Sequence, residues 1–167
     1  MKEVKPSWSE RQLPRFFTTW REEWQDPELC PDNYLDFEGG LRFVVASAWL
    51  FCPETVEYRD CVFLRDRFDQ ATVDAWFERL GDDRERIEAV TNQVTLWDVF
   101  TNTLGRDEDD LHDELPQLAL ALGECWQGVL SRRYPGRQVM VQVSDEEDGS
   151  YGPTVTFWVS RVDAAFG

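Results

Sequence analysis

The chain holds one histidine, His112, and four cysteines, Cys30, Cys52, Cys61 and Cys125. A single imidazole excludes any site that needs two from one chain. A Ser-His-Asp or Cys-His arrangement would have to use His112. Cys125 lies thirteen residues further along. On one continuous helix that is about 20 Å, too far for a nucleophile and its base. Cys52 or Cys61 would reach His112 only through tertiary contact. No two cysteines stand in a C-x-x-C spacing, so neither a zinc knuckle nor a redox motif is signalled. Four scattered thiols suit a reducing compartment. Pairing of Cys52 with Cys61 is left open, since it needs a turn between them.

The usual phosphate and nucleophile signatures are missing. Gly39-Gly40 lacks a following G-K-[ST], and G-x-G-x-x-G does not occur. Neither Ser47 nor Ser131 sits in a G-x-S-x-G elbow. No cofactor is expected. Two acidic clusters remain: Asp107, Glu108, Asp109 and Asp110, then Asp145, Glu146, Glu147 and Asp148. Hard cations need several oxygens in fixed geometry. With Gly149 at the sixth position of a calcium loop, Ser144 falls first, Glu146 third and Val155 twelfth. The first and twelfth carboxylates are absent, so no metal is expected. The clusters read instead as surface, and as the candidate partner-binding residues.

The charge points the same way. Lys and Arg total 17 against 33 Asp and Glu, a net of -16 over 167 residues. Such a field repels phosphate backbones and anionic lipid. Nucleic acid and membrane are not expected as partners; the charge serves either a basic protein partner or simply solubility. The hydrophobic fraction of 42%, with 8 Trp and 11 Phe, predicts a folded chain. One domain is the default at this length, with residues 1–12 frayed. The N-terminus has no apolar signal core, and the longest apolar run, residues 43–52, is too short to span a bilayer. A cytoplasmic location is expected.

The positioning elements follow from periodicity. Leu13, Phe16, Phe17, Trp20 and Trp24 step by three and four, predicting a helix from near Pro14 that ends before Pro27. Its aromatic stripe is expected in the core. Residues 41–52 fit a helix or a strand. Length and the small residues Ala46, Ser47 and Ala48 favour a helix, opened by Gly39-Gly40 and ended by Pro53. A helix apolar on all sides should be central. A short strand is expected at 61–64. Asp69 caps a helix with inner residues Val73, Trp76, Phe77 and Leu80, closed by Gly81. Asp82 or Asp83 caps the next, with stripe Ile87, Val90, Val94, Leu96, Trp97 and Phe100.

Leu111, Leu115, Leu118, Leu122, Trp126, Val129 and Leu130 then mark a long core helix. Pro116 lies in its first turn, and the acids before it favour its positive end by about 0.3–1 kcal/mol each. Tyr134-Pro135-Gly136 stops it. Alternating runs at 137–143 and 153–160 form a hairpin around the polar loop 144–150. The 61–64 strand is expected at one side of that hairpin. The fold class is α+β: about five helices packed with a small antiparallel sheet.

FCPETVEYRDCVFL at 51–64, TNQVTLWDVF at 91–100 and YGPTVTFW at 151–158 resemble uncharacterised bacterial proteins of similar length, from about residue 34 onward. That resemblance implies no activity. More loosely, size, acidity and α+β pattern look like immunity proteins that neutralise bacterial toxins. No diagnostic motif supports that second likeness, so it transfers no site residues.

Three functional readings follow. The favoured one is a non-catalytic acidic module, immunity- or inhibitor-like, that caps a basic protein partner. The second is an enzyme or small-ligand-binding domain built around His112 or a buried carboxylate. The third is a structural homodimer joined through the Trp-rich face of residues 16–24.

Overall fold

The computed structural model describes residues 14–102, 113–145 and 151–161. Helix α1 (Arg15–Trp24) leads into a short turn α2 (Pro31–Tyr34), a π-helical turn at Leu35–Gly39, and α3 (Gly40–Phe51). Strands β1 (Thr55–Tyr58) and β2 (Cys61–Leu64) follow, then α4 (Gln70–Leu80) and α5 (Arg84–Thr91). A two-residue strand β3 (Val94–Thr95), the turn α6 (Leu96–Val99), the long α7 (Leu115–Arg133) and the hairpin β4 (Gln138–Ser144) and β5 (Thr154–Ser160) complete the order. The architecture is α+β, and α1, α3, α4, α5 and α7 are its longer helices.

The predicted caps form. Asp69 accepts from the Thr72 amide at 2.8 Å, and Asp83 from that of Arg86 at 3.2 Å. Gly81 ends α4 at φ 65, and Gly40 turns the chain between the π-helical turn and α3 at φ 67. Both backbones suit glycine, because a side chain would crowd its own carbonyl there.

Two sheets form. β1 and β2 are an antiparallel hairpin, and the second sheet runs β3-β5-β4, also antiparallel. This corrects the expected placement of 61–64 beside the C-terminal hairpin: β2 pairs with β1, and β3 supplies the third strand. The β1–β2 turn is Arg59-Asp60, both at positive φ. That backbone favours Gly, Asn or Asp, so Asp60 was the turn's one, weak sequence signature. The helix expected through 87–100 stops at Thr91, and Val94 belongs to β3. Val90, expected to face inward, is exposed.

One core packs Leu115, Ala119, Leu122, Trp126 and Leu130 of α7 against Val139, Val155, Phe157 and Val159 of the sheet. Trp126 meets Phe157 edge-on at 6.0 Å. The register Val139↔Val159, Val141↔Phe157, Val143↔Val155 stacks the apolar residues on the face toward α7. A second cluster gathers Cys61, Phe63, Val73, Phe77 and Ile87 beneath α4 and α5.

Polar side chains of α5 join the two sheets. Glu88 and Asn92, one helical turn apart, are fully buried. Glu88 accepts from the Val62 amide of β2 at 2.7 Å and the Val159 amide of β5 at 2.9 Å. Asn92 accepts from the Leu64 amide at 2.8 Å and donates to the carbonyls of Val62 at 2.9 Å and Phe157 at 3.2 Å. β3 covers β5 only at Thr154 and Val155, so these side chains occupy the place of a longer strand.

Two stability predictions follow from this packing. Glu88→Ala should lower unfolding stability by about 3 kcal/mol, since it orphans two buried amides and the paired Arg161; Glu88→Gln should lose less. Urea denaturation checks both. At Gly123, an added Cβ would meet Val143 Cγ2 at 2.5 Å. Gly123→Ala should therefore destabilise by about 1–3 kcal/mol, and adding Val143→Ala should recover part of that loss.

Candidate docking face

Most candidate partner-binding acids lie outside the described residues. These are Asp107, Glu108, Asp109, Asp110, Glu146, Glu147 and Asp148, together with His112. Asp145 directly follows β4 and is half-buried.

The fully buried carboxylate is saturated. Beyond its two amides, Glu88 takes Arg161 Nη1 at 2.8 Å on one oxygen and Nη2 at 3.2 Å on the other. Arg161 also donates to the carbonyls of Asp60 at 2.7 Å and Val159 at 2.9 Å. Burial works against the Arg161 charge, but the Glu88 contact outweighs it and the guanidinium pKa rises. Each Glu88 oxygen already accepts two donors, so this group ties the sheets together. Cys61, beside it, is driven up to about 11, first by burial and then by the Glu88 charge. It stays a thiol at neutral pH.

The cysteines are all free. Cys61 is buried on β2 and Cys52 is exposed just after α3, so the pairing left open above does not form. Among the described residues, no three His, Cys, Asp or Glu cluster in a way that could hold a metal ion.

The feature that faces outward is apolar. The π-helical turn and α3 contain no buried residue. This overturns the expectation that the apolar helix 41–52 is central. Leu41 is 79% exposed, Trp49 73% and Phe43 58%. Leu35, Phe37, Val44, Val45 and Trp24 of α1 are exposed as well. Leu41, Val44, Val45 and Trp49 share one side of α3. Phe43, on another side of α3, lies across Gly39 from Leu35 of the π-helical turn. α3 meets the main core through its C-terminal end, where Leu50 and Phe51 pack and Trp126 Nε1 donates to the Leu50 carbonyl at 2.8 Å.

Helix α1 braces the other end. Phe17 and Trp20 are buried, as expected for the aromatic stripe, but Trp24, expected with them, is 54% exposed. Trp20 meets Tyr34 edge-on at 5.0 Å and donates to Glu38 Oε1 at 3.0 Å, while Trp24 stacks on Phe37 at 5.2 Å. Those internal contacts cover Phe17 and Trp20, while Trp24 of the same stretch stays exposed.

The electrostatics are uneven. Residues 40–53 carry one charge, Arg42. The segment before them carries Glu22, Glu23, Asp26, Glu28, Asp32, Asp36 and Glu38, all exposed. Asp36 and Glu38 alternate with Leu35 and Phe37, so carboxylates border the apolar surface directly. Trp49 also opens onto a cleft of about 300 Å³ shared with Leu50, Trp126, Glu54, Asp66 and Arg67. These exposed apolar side chains are clustered in one stretch of chain rather than scattered singly. No helix among the described residues is long and apolar enough to cross a membrane.

Sequence reasoning missed this face because periodicity reports how apolar a helix is, not what covers it. The available signal was the alternation of Leu35, Asp36, Phe37 and Glu38 just before the apolar run. If the face is open in the folded chain, Leu41→Gln and Trp49→Gln should each change unfolding stability by less than about 0.5 kcal/mol. Leu122→Ala, in the core, should cost about 2–5 kcal/mol. A core-sized loss at position 41 or 49 would mean the face is covered.

In comparisons with protein-family models, curated proteins and solved structures, the chain finds no match, so neither resemblance drawn from its sequence gains support there.

Proposed function

We propose that the protein is a non-catalytic binding module whose α1–α3 face caps a basic protein partner. The observation that carries this reading is the apolar surface of Leu41, Val44, Val45 and Trp49 bordered by exposed carboxylates. Burying apolar area would supply the affinity. A partner with an apolar centre and a rim of Lys or Arg would match the border, whereas an acidic partner would meet like charge. The net charge of -16 would steer such a partner from a distance and make association sensitive to salt. The acids at 107–110 and 145–148 belong to that long-range field. An immunity- or inhibitor-like role is the form of this reading that best suits a small acidic chain.

The test places a photo-activated cross-linker at position 41, and in a separate sample at position 142 on the exposed side of β4. Each is irradiated in lysate of the source cell at low and high salt. The expected result is an adduct from position 41 alone, with a protein rich in Lys and Arg, that weakens at high salt. With that partner purified, Asp32→Asn with Asp36→Asn should slow association by about tenfold at low salt. An adduct with a second copy of this chain, an acidic partner, equal adducts from both positions, or none from position 41 would overturn the reading.

A further inference from the structure

Cys52 and Cys125 are far apart in the chain and open onto the same groove. Cys52 directly follows α3, and its amide donates to the Ala48 carbonyl at 2.8 Å. The segment carrying it is pinned along α7 at two points. Trp126 Nε1 holds the Leu50 carbonyl at 2.8 Å, and Arg133 Nη1 holds the Pro53 carbonyl at 2.7 Å. Those anchors are two helical turns apart on α7, and Cys52 lies between the carbonyls they hold. Cys125 precedes the first anchor by one residue. Both thiols are exposed, and both line a groove of about 560 Å³ whose floor includes Gly128 and Val129. Gly128 has no side chain, and open space lies where a Cβ would stand.

We propose that Cys52 and Cys125 form a dithiol site that a peroxide closes to an intramolecular disulfide. One thiolate attacks a peroxide oxygen and breaks the O–O bond, forming a sulfenic acid and, for hydrogen peroxide, releasing hydroxide. The second thiolate attacks that sulfur, breaks the S–O bond and expels a second hydroxide; the protons the two thiols gave up convert both to water. Two thiols are oxidised and one peroxide is reduced, so no further reactant is needed. The bridge would tie the end of α3 to α7 and leave both cores intact. It would also shorten no element, because Cys52 already lies outside the helix.

Burial raises the Cys125 pKa first, and the Cys52 charge raises it further. Oxidation should therefore be slow at neutral pH and accelerate as pH rises, because the thiolate is the nucleophile. The other cysteines act as internal references. Cys30 is exposed, with its thiol 3.0 Å from Asn33 Oδ1, and Cys61 is buried on β2.

The experiment uses the full chain in two arms. In the first, the native protein is treated with hydrogen peroxide and the remaining thiols are alkylated and mapped. The expected product is a monomer with residues 52 and 125 linked, and with Cys30 and Cys61 alkylated after unfolding. In the second arm, phenylarsine oxide, which needs two adjacent thiols, is titrated into reduced protein. Cys52→Ser and Cys125→Ser should each weaken its binding by about a hundredfold or more, and Cys30→Ser should not, as expected for loss of a chelate. Both serine positions are exposed, so the variants should fold. A disulfide through Cys30 between two chains, retention of both thiols across the pH range, or equal arsenical binding by all variants would overturn the proposal.

Discussion

Strand β5 has a bonding partner along its whole length on one side and for only two residues on the other. The rest of that second edge would leave buried backbone groups unpaired, at about 1–3 kcal/mol each. Helix α5 removes the problem with side chains. Glu88 and Asn92 bond to β5 and, with their remaining atoms, to β2. Two sheets that share no backbone ladder are thereby held in register. Thr156 adds a bond to the Ala89 carbonyl at 2.6 Å, which fixes the helix along the same edge.

The placement of Arg161 follows from that join. A carboxylate taken fully out of water needs a counter-charge, and the guanidinium at the end of β5 supplies it in two contacts. The same network sets the chemistry of Cys61, which sits beside it and is held in the thiol form. A buried carboxylate with all of its bonding capacity engaged is part of the scaffold. Apolar side chains without internal cover lie elsewhere.

Those side chains concentrate at the N-terminal end. The main core is closed by α7 and the C-terminal hairpin, so α3 needs to contribute only Leu50 and Phe51. The remainder of the helix projects its apolar residues outward, and α1 stiffens the π-helical turn that precedes it through stacked rings. Cys52 directly follows α3 and lines a groove with Cys125 of α7.

Much of the local structure was legible in the chain. Spacing alone determined α1, α4, α7 and the C-terminal hairpin, because each has a strong apolar period and a chemically clear stop. Asp69, Asp83, Gly81 and Pro53 act within a few residues, so their effects could be read directly. The acidity and the α+β class were equally plain. Tertiary structure alone decided the rest. Whether 61–64 pairs with 55–58 or with the hairpin depends on long-range contacts, and the Arg59-Asp60 turn lacks the glycine that would mark it. The interruption after Thr91 arises because Asn92 is drawn into bonds with two strands. The exposure of α3 was hidden for a related reason: a sequence records which side chains avoid water, while burial depends on how much apolar surface the other elements have already covered.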